Sequence, residues 1–333
     1  MIANLIYEIP TKQIHGVKTA LINQKKGLEL NKVEVRLNSY KLDSDVNHCY
    51  FFGPISTWEL KFSKKCFITG LHLHINELKY VNGSYFILKI LNYFLKKSDV
   101  LLAPSNFAKK EFKKYYPDKP ISVLSGGVDI NKFKMTKRKR ISFRNKYGFN
   151  EDDFLVFCVG HTNYIKGVDT FVNVAKKLRE INFIWIGSTY KHLKKNFQPS
   201  KIKLDNLFFT GYVDDITEAI AGCDLFFFPT YFELQGIPVL EAMASKKPVI
   251  TRNIPSFDWL INRETCLKSN TIEDFCSNIL ELRDDKKLSK KLVRNSINYV
   301  KKHDVKNVGK KLKMIYEFSI NKSYDELDEI DEY

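Results

Sequence analysis

The stretch DLFFFPTYFELQGIPVLEAMASKKPVIT, residues 224–251, contains the pattern that decides the fold. One apolar run ends at Pro229, and a second apolar run begins at Pro248. Between them Gly236 permits an unusual backbone turn, and Pro238 fits the first position of a helix that continues through VLEAMASK. A strand, a helix and a second strand in this order predict a parallel sheet that is covered by helices.

Two glutamates bracket the turn in this stretch. The backbone N–H groups of Gly236 and Ile237 should point out of the helix N-terminus at the carboxyl end of a strand, where a pyrophosphate would bind well. Glu241 lies one turn into the helix, where its carboxylate can accept hydrogen bonds from a ribose diol. Glu233 lies on the other side of the turn, where it can hold hydroxyls of a second sugar. A glutamate near a helix start more often compensates the helix dipole, so that interpretation stays open for each residue.

Elsewhere the chain alternates short apolar runs, typical of buried strands, with amphipathic runs typical of helices. The alternation predicts an α/β protein with one parallel sheet in each half of the chain. The basic segment 134–153 is interpreted as a linker, and the acidic end 321–333 as a loose tail. The predicted strands are residues 4–9, 32–37, 66–71, 99–103 and 121–124, followed by 154–160, 182–187, 206–211, 224–229 and 248–251.

Length and composition bound the class of protein. The chain has 333 residues, of which 44% are hydrophobic, and this is enough to bury two cores in about two domains of roughly 150 residues each. No charged-then-apolar signal segment opens the chain, and the apolar run at 85–95 is far shorter than the roughly 20 residues that span a bilayer. We therefore expect a cytoplasmic protein that is not integral to a membrane. The cysteines are scattered without CxxC pairs or metal-ligand spacing, which predicts buried thiols in a reducing compartment: Cys49, Cys66, Cys158, Cys223, Cys266 and Cys276.

The net charge of +16 is distributed unevenly along the sequence. Residues 1–140 contain 25 Lys and Arg against 11 Asp and Glu, whereas residues 141–333 contain 29 against 27. The first part therefore carries +14 and the second part +2. This asymmetry predicts that the N-terminal part faces an anionic partner, such as a membrane surface, a nucleic acid or a polyanionic substrate. The alternative is that the lysines simply cover solvated faces.

The segment FPTYFELQGIPVLEAMASKKPVI resembles the E-x7-E signature of the retaining glycosyltransferases of family 4. This family has the GT-B fold, in which two Rossmann-like domains with parallel sheets face each other across an interdomain cleft. The resemblance covers roughly residues 10–300. It implies an N-terminal domain over 1–138, a C-terminal nucleotide-sugar-binding domain over 139–320 and the acidic tail at 321–333. It leaves open whether the last helix packs back on the N-terminal domain.

Further segments follow the order of that family. IHGVKTALINQKKGLELNKVEV (14–35) is similar to its opening glycine-rich loop and helix, with Gly16 where the backbone approaches the donor phosphates. FLVFCVGHTNYIKGVDTFVNVAKKL (154–178) is similar to its phosphate-binding strand, loop and helix, with Lys166 at the position of the phosphate-binding lysine. Where the family usually has Arg after the strand's glycine, this chain has His161, which implies a weaker phosphate contact.

Two other positions bear on the site. The family's catalytic-loop histidine follows a strand of the N-terminal domain, and ITGLHLHINEL (68–78) supplies both His72 and His74. His72 aligns better with the strand-end histidine, although the choice between the two stays open. Gln235 stands where the family commonly has an aromatic residue, which leaves the identity of the hexose open.

The resemblance implies transfer of a hexose from UDP-glucose or UDP-galactose to an acceptor hydroxyl, with retention at the anomeric carbon. The implied catalytic residues are His72, Lys166 and Glu233; the lysine and helix N-terminal amides would stabilise the charge that builds on the leaving pyrophosphate. The resemblance also implies that no cofactor and no tightly bound metal are needed, and no metal-ligand cluster in the sequence argues otherwise. The implied donor-binding residues are Gly16, His161, Lys166, Glu233, Gly236, Ile237 and Glu241.

The acceptor must be inferred from the basic N-terminal part. In SNFAKKEFKKYYPDK (105–119) aromatic residues alternate with Lys109, Lys110, Lys113 and Lys114. At about 1 kcal/mol per lysine near an anionic leaflet, the surplus charge suffices for reversible attachment to the inner face of the cell membrane. The similar family members are small bacterial enzymes that glycosylate diacylglycerol or monoglycosyl diacylglycerol, which implies a lipid acceptor. An ordinary packed helix with a solvated lysine face is the alternative interpretation of this segment.

Other functions fit parts of the sequence. A soluble family 4 glycosyltransferase could act on capsule, wall polymer or protein acceptors, and the positive charge would then be incidental. A nucleic-acid binder would use the basic part, but the chain has no RNA-recognition signature, and no nucleic-acid partner is expected. A UDP-sugar epimerase also fits a two-domain fold, although the pattern around Glu233 fits transfer better.

Overall fold

A computed structural model describes residues 1–9, 16–72, 84–189 and 197–332 of the chain. The chain divides into two compact units. The first unit comprises Met1–Val128 and Lys302–Tyr333, and the second comprises Asp129–Lys301. The division after Val128 lies before the predicted boundary at 138, and the chain returns to the first unit at Lys302.

The described strands and helices alternate along most of the chain. In chain order the strands are β1 (Ile2–Tyr7), β2 (Glu34–Leu37), β3 (Val46–Phe51), β4 (Cys66–Gly70), β5 (Val100–Ala103), β6 (Ile121–Val123), β7 (Leu155–Val159), β8 (Asn182–Ile186), β9 (Leu207–Gly211), β10 (Leu225–Phe228), β11 (Val249–Arg252) and β12 (Leu267–Ser269). The described α-helices are α1 (Gly16–Leu30), α2 (Pro54–Phe62), α3 (Ser84–Lys97), α4 (Asn106–Lys113), α5 (Lys137–Tyr147), α6 (Val168–Lys177), α7 (Ile216–Gly222), α8 (Ile237–Ala244), α9 (Ile272–Asp284), α10 (Lys286–Val300), α11 (Val305–Asn321) and α12 (Glu326–Glu329).

Each unit contains a six-stranded parallel sheet. The strand order is β2-β1-β3-β4-β5-β6 in the first unit and β12-β11-β10-β7-β8-β9 in the second. The predicted α/β fold with two parallel sheets is therefore confirmed, and each of the ten predicted strands corresponds to an observed one. The sequence pattern missed β12 and also β3, VNHCYF, whose Asn47 and His48 are polar but buried.

The C-terminal helix α11 belongs to the core of the first unit because it approaches α1 at two glycines. A Cβ atom on Gly27 would lie 2.3 Å from the carbonyl oxygen of Val305, and one on Gly309 would lie 2.1 Å from the backbone of Gly27. Side chains larger than glycine would therefore separate the helices. Leu312 and Tyr316 of α11 are fully buried in the cluster that α1 and the sheet also form.

The acidic end of the chain is folded on the first unit, contrary to the prediction of a loose tail. Leu327 and Ile330 are only 2% and 5% exposed. The carboxylate of Asp331 accepts a hydrogen bond from the Val123 N–H at 2.8 Å and pairs with Lys109 Nζ at 2.7 Å. The prediction from acidic composition was wrong because these two apolar residues, three positions apart, bury one face of the segment against the edge of the sheet.

The basic segment interpreted as a linker contains α5 of the second unit. Thr136 caps the helix N-terminus, and Gly148 ends the helix in the left-handed conformation with a φ of 75°. Phe143 is buried against Gly222, where a Cβ atom would lie 2.2 Å from the ring. Arg144 donates to the Gly222 carbonyl oxygen at 2.9 Å. The linker interpretation was wrong because a single buried aromatic residue anchors an otherwise charged helix.

The observed division of the chain also changes the charge of each unit. Counted over the observed units, the first has 25 Lys and Arg against 18 Asp and Glu, and the second has 29 against 20. The net charge is therefore +7 for the first unit and +9 for the second. The predicted concentration of charge in the N-terminal domain was wrong because the basic helix α5 belongs to the second unit and the acidic C-terminal segment to the first.

Replacing Asp331 with Ala should destabilise the first unit by about 1–3 kcal/mol, because the Val123 N–H and the Ser122 hydroxyl lose a buried acceptor. Glu329→Ala is the matched control, because Glu329 is exposed on the same segment. Hydrogen exchange of β6, measured at increasing urea concentrations, reports the effect on this unit. Equal protection in the two variants would contradict the role given to Asp331.

Candidate active site

Two loops of the second unit lie at one edge of its sheet. Strands β7 and β10 are neighbours and parallel, with Leu225 opposite Val156 and Phe226 opposite Phe157. The loops that follow them, 160–167 and 229–236, therefore begin side by side at the carboxyl ends of the strands. In open α/β sheets this edge is where ligands usually bind.

An ion pair joins these two loops. Lys166 Nζ lies 2.7 Å from Glu233 Oε2, and the two side chains are 19% and 16% exposed. The predicted phosphate-binding lysine and the predicted sugar-binding glutamate, which are far apart in sequence, are thus brought together. The backbone also ties the loops, since the Tyr231 N–H donates to the Ile165 carbonyl oxygen at 2.8 Å. Because the pair is largely shielded from water, its charges interact more strongly than those of a surface pair.

Glycines allow both loops to turn tightly before a helix. Gly236 precedes α8 with a φ of 86°, and a Cβ atom there would lie 2.8 Å from the Phe257 ring. Gly167 precedes α6 with a φ of 78°, and a Cβ atom there would lie 2.2 Å from the Pro229 carbonyl oxygen. Both positions thus require glycine for conformation and for space. The helix α8 begins at Ile237, so Pro238 occupies its second position and not the predicted first.

Glu241 is the buried carboxyl group of this region. It lies in α8 and is 8% exposed. Burial raises the pKa of Glu241 to about 7, and the charge of Lys132 partly opposes the rise. A carboxyl group in this environment is held at the point where small changes in polarity or pH decide its charge.

His161 follows Gly160 directly after β7, in the loop that carries Lys166. Burial, and then the positive charge of Lys166, lower the pKa of His161. The ring is therefore neutral at pH 7 and offers a hydrogen bond where an arginine would offer a permanent charge. The weaker phosphate contact expected of His161 stays a prediction.

His72 and Gly16 lie in the first unit. The His72 ring stacks on Tyr50 with ring centroids 5.4 Å apart, and Tyr50 stacks in turn on His48 at 4.1 Å. His48 Nδ1 lies 2.8 Å from the Tyr316 hydroxyl, so a row of rings connects His72 to the C-terminal helix. Gly16 is the first residue of α1. The competing histidine, residue 74, and the loop before Gly16 lie outside the described residues.

The four lysines of the predicted membrane segment have different surroundings. Lys109 Nζ pairs with Asp328 at 2.6 Å and with Asp331 at 2.7 Å. Lys113 Nζ donates to two backbone carbonyl oxygens of the loop after α4. Lys114 pairs with Glu111 at the surface, and Lys110 is exposed. Two of the four ammonium groups are therefore engaged in holding the first unit together.

Sequence reasoning did not single out several residues that shape the site. Asn163 Oδ1 accepts the backbone N–H of Lys166 at 2.9 Å, and the Thr230 hydroxyl donates to the Ile165 carbonyl oxygen at 3.0 Å. Arg252 is almost fully buried at the end of β11. An arginine at the end of the short strand VITR was the available signal for this last residue, since a buried charge requires partners.

The parts of the chain that the structure describes contain neither a group of metal ligands nor a membrane-spanning helix. No three His, Cys, Asp or Glu side chains within 1–9, 16–72, 84–189 and 197–332 are grouped so that they could hold a metal ion. Across the same residues, every helix is too short or too polar to cross a bilayer.

The sequence matches two glycosyltransferase families. Residues 139–299 match "Glycosyl transferases group 1", and residues 25–132 match "Glycosyltransferase Family 4". The group 1 match lies within the second unit, which contains the Lys166–Glu233 pair. The family 4 match lies almost entirely within the first unit.

Two glycolipid-forming enzymes are similar in sequence to this chain, one over most of its length and the other over about half. The "Processive diacylglycerol alpha-glucosyltransferase" of Acholeplasma laidlawii is 28% identical over 318 residues, which cover 91% of this chain and 93% of the relative. The "Alpha-galactosylglucosyldiacylglycerol synthase" of Streptococcus pneumoniae is 26% identical over 196 residues, which cover 54% of this chain and 51% of the relative.

Solved structures share the fold. Anabaena HepE, solved in complex with UDP and glucose, matches with a TM-score of 0.75 and 15% identity over 95% of this chain and 99% of that chain. The two parallel sheets and their helices thus match GT-B glycosyltransferase structures. Two family matches in consecutive segments lead to one conclusion: the chain is a glycosyltransferase, with a family 4 domain over residues 25–132 and a group 1 domain over residues 139–299.

Proposed function

We propose that this enzyme transfers glucose or galactose from a UDP-sugar, with retention at the anomeric carbon, to diacylglycerol or monoglycosyl diacylglycerol. The observation that carries the donor part is the Lys166–Glu233 pair at 2.7 Å between two loops at the carboxyl edge of the second sheet. The lipid acceptor is supported by the similarity to the Acholeplasma diacylglycerol glucosyltransferase, which extends over nearly the whole of both chains.

The donor phosphates would bind at the start of α8 and at Lys166. The N-terminal amides of a helix and its dipole favour an anion, and α8 begins directly after the turn at Gly236. Lys166 would leave Glu233 for the pyrophosphate and stabilise the negative charge that grows as the glycosidic bond breaks. Glu233, released from the lysine, would accept hydroxyl groups of the donor sugar.

The nucleoside would be held by Glu241. The residue is buried and lies one turn into α8, and this position supports a contact to the ribose diol. Two ribose hydroxyls would supply hydrogen bonds that favour the charged form of a carboxyl group whose burial disfavours it. The ribose and Glu241 would thus stabilise each other.

The remaining site residues have supporting roles in this proposal. His161 would donate a hydrogen bond to a phosphate, whereas the roles expected of Gly16 and His72 in the first unit stay predictions. The chemistry requires neither a cofactor nor a tightly held metal ion, because Lys166 and the helix amides supply the charge stabilisation.

The acceptor would be reached at an anionic membrane surface. Lys110 and Lys114 of the first unit are exposed, and the surface pair of Lys114 with Glu111 is weak enough to be exchanged for lipid phosphates. The soluble-acceptor alternative gains weight from one observation, the nearly equal charges of the two units. In that case the positive charge would serve solubility and not attachment.

The proposal is tested by incubating the purified protein with radiolabelled UDP-glucose or UDP-galactose and vesicles of phosphatidylglycerol that contain diacylglycerol or monoglucosyl diacylglycerol. A labelled lipid with an α-linkage is the expected product. Donor turnover or UDP-sugar binding without a labelled lipid would favour the soluble-acceptor alternative. An absence of UDP-sugar binding would overturn the donor part of the proposal.

Binding of UDP-glucose should tighten as the pH rises from 6 to 8. A group with a pKa of about 7 is roughly one-tenth ionised at pH 6 and nine-tenths ionised at pH 8, so the affinity should increase up to about 10-fold. Titration calorimetry measures the change, and UDP-glucose is used because its diphosphate is esterified at both ends and does not titrate in this range.

The matched variant for this test is Glu241→Gln, which should bind UDP-glucose more weakly and without the pH dependence. The pH dependence of folding stability has the opposite sign to that of UDP-glucose binding. Because the folded-state pKa lies above the unfolded-state value of 4.5, the carboxyl group stabilises the fold below that value and loses this contribution as the pH rises through 7. Glu241→Gln should therefore unfold at a higher temperature than the wild type at pH 8. A pH dependence that persists in the variant would remove Glu241 from the ribose contact.

Replacing Lys166 with Ala should lower kcat about 10²- to 10³-fold, because one contact to the charge of the transition state is lost. Replacing Glu233 with Ala should also lower turnover, yet leave UDP affinity unchanged or tighter, because Lys166 loses the carboxylate that competes with the phosphates. Steady-state kinetics and UDP titration separate the two effects. Loss of UDP binding in the Glu233 variant would contradict the assignment of this residue to the sugar.

Replacing Lys110 and Lys114 with Gln should reduce binding to phosphatidylglycerol vesicles at low salt, since each removed charge forfeits up to about 1 kcal/mol of surface attraction. Lys109→Gln is the matched comparison and should lower thermal stability instead, because two carboxylates hold its ammonium group. Sedimentation with vesicles at low and high salt measures attachment. Equal sedimentation of the wild type and the double variant would remove this segment from the membrane proposal.

A further inference from the structure

Arg252 makes hydrogen bonds to three separate segments of the second unit. Its side chain is at the end of β11, and the residue is 8% exposed. The Nε–H donates to the Pro229 carbonyl oxygen at 3.0 Å, Nη2 donates to the Thr170 hydroxyl at 2.8 Å, and Nη1 donates to the Asn270 carbonyl oxygen at 3.2 Å. The planar guanidinium group thus connects the end of β10, the start of α6 and the segment after β12.

Tyr231 completes this cluster from the other side. The Arg252 guanidinium carbon lies 3.9 Å from the centroid of the Tyr231 ring, within the range of a cation–π contact. The Tyr231 hydroxyl lies 3.0 Å from Asp169 Oδ2 and 3.0 Å from the Thr170 hydroxyl. The ring is therefore fixed through its face and through its hydroxyl group.

The contacts of this cluster fall on the two segments that carry the ion pair. Pro229 and Tyr231 lead directly into Glu233. Thr170 lies in the first turn of α6, which follows the loop of Lys166. Arg252 and Tyr231 are thus placed to fix the separation of the two loops.

We propose that Arg252, with Tyr231 stacked on it, is a positioning residue that holds the Lys166 and Glu233 loops in the spacing that transfer requires. The inference rests on the proposed function, because it assigns the pair to the donor. In this proposal Arg252 acts through the loops that it holds. A lysine could keep the charge but could not supply three directed N–H groups and a flat face for the ring.

A positioning role differs from a purely structural one in what it changes. If Arg252 only stabilised the fold, its loss would lower the melting temperature and leave turnover unchanged at temperatures where the variant is folded. If it sets the loop spacing, turnover falls in the folded variant, since a misplacement of about 1 Å can lower the rate about 10²-fold.

The test compares Arg252→Met, Arg252→Lys and Tyr231→Phe with the control Arg263→Met, whose guanidinium pairs with Glu281 at the surface. At a temperature at which each variant is folded, kcat for UDP-glucose should fall about 10- to 100-fold for Arg252→Met, with a smaller change in KM, and less for Arg252→Lys. Tyr231→Phe keeps the ring and loses only the hydroxyl contacts, so its kcat should fall by only about 2- to 5-fold. The control should match the wild type.

A second measurement needs no donor. The Tyr231 N–H is bonded to the Ile165 carbonyl oxygen, so hydrogen exchange of segment 229–233 reports whether the two loops stay together. Exchange in this segment should be faster in Arg252→Met and unchanged in Arg263→Met. If Arg252→Met does not fold, Tyr231→Phe provides the same two measurements.

The outcomes separate this inference from the proposed function. Faster exchange at 229–233 with reduced kcat supports the positioning role. Unchanged exchange, or a lowered melting temperature with wild-type kcat, overturns it. If the wild-type protein turns over neither UDP-glucose nor UDP-galactose, the proposed function fails, and the exchange measurement alone decides whether Arg252 holds the loops together.

Discussion

The parallel pairing of β7 with β10 is the constraint on which the candidate site depends. The two strands are distant in sequence, and their pairing makes the loops that follow them neighbours at one edge of the sheet. Lys166 and Glu233 then meet at 2.7 Å, and the Tyr231 N–H bonds to the Ile165 carbonyl oxygen. The loops come close enough for these contacts only because Gly167 leaves room for the Pro229 carbonyl oxygen. Sheet topology therefore selects which residues can act together.

The electrostatics of the second unit suit an anionic ligand with a sugar at each end. Glu233 neutralises Lys166, which avoids leaving a shielded cation without a counter-charge. Burial disfavours the charge of Glu241, and hydroxyl groups of a ligand would restore hydrogen bonds to it. A nucleotide sugar would relieve both costs, because its phosphates match the lysine and its hydroxyls match the two carboxylates.

Apolar periodicity was enough to predict the parallel α/β fold, because strands that are buried on both faces consist of nearly continuous apolar runs. It missed β3, where buried Asn47 and His48 interrupt the run. Charge composition misled at α5 and at the C-terminal segment, where Phe143 and Leu327 anchor helices that look solvated.

The sequence proposed part of the candidate site, and the roles of those residues stay predictions. The glutamates and Lys166 stand in a recognisable pattern, but no pattern in one sequence shows that Arg252 reaches three segments, since that depends on strand order.

A crystal structure of the protein with UDP-glucose tests most directly whether Lys166, Glu233 and Glu241 form the donor site. We expect Lys166 Nζ within hydrogen-bond distance of a phosphate oxygen, Glu233 on hydroxyls of the glucose and Glu241 on the ribose diol. A nucleotide bound elsewhere, with the Lys166–Glu233 pair intact and Glu241 away from the ribose, would contradict this assignment.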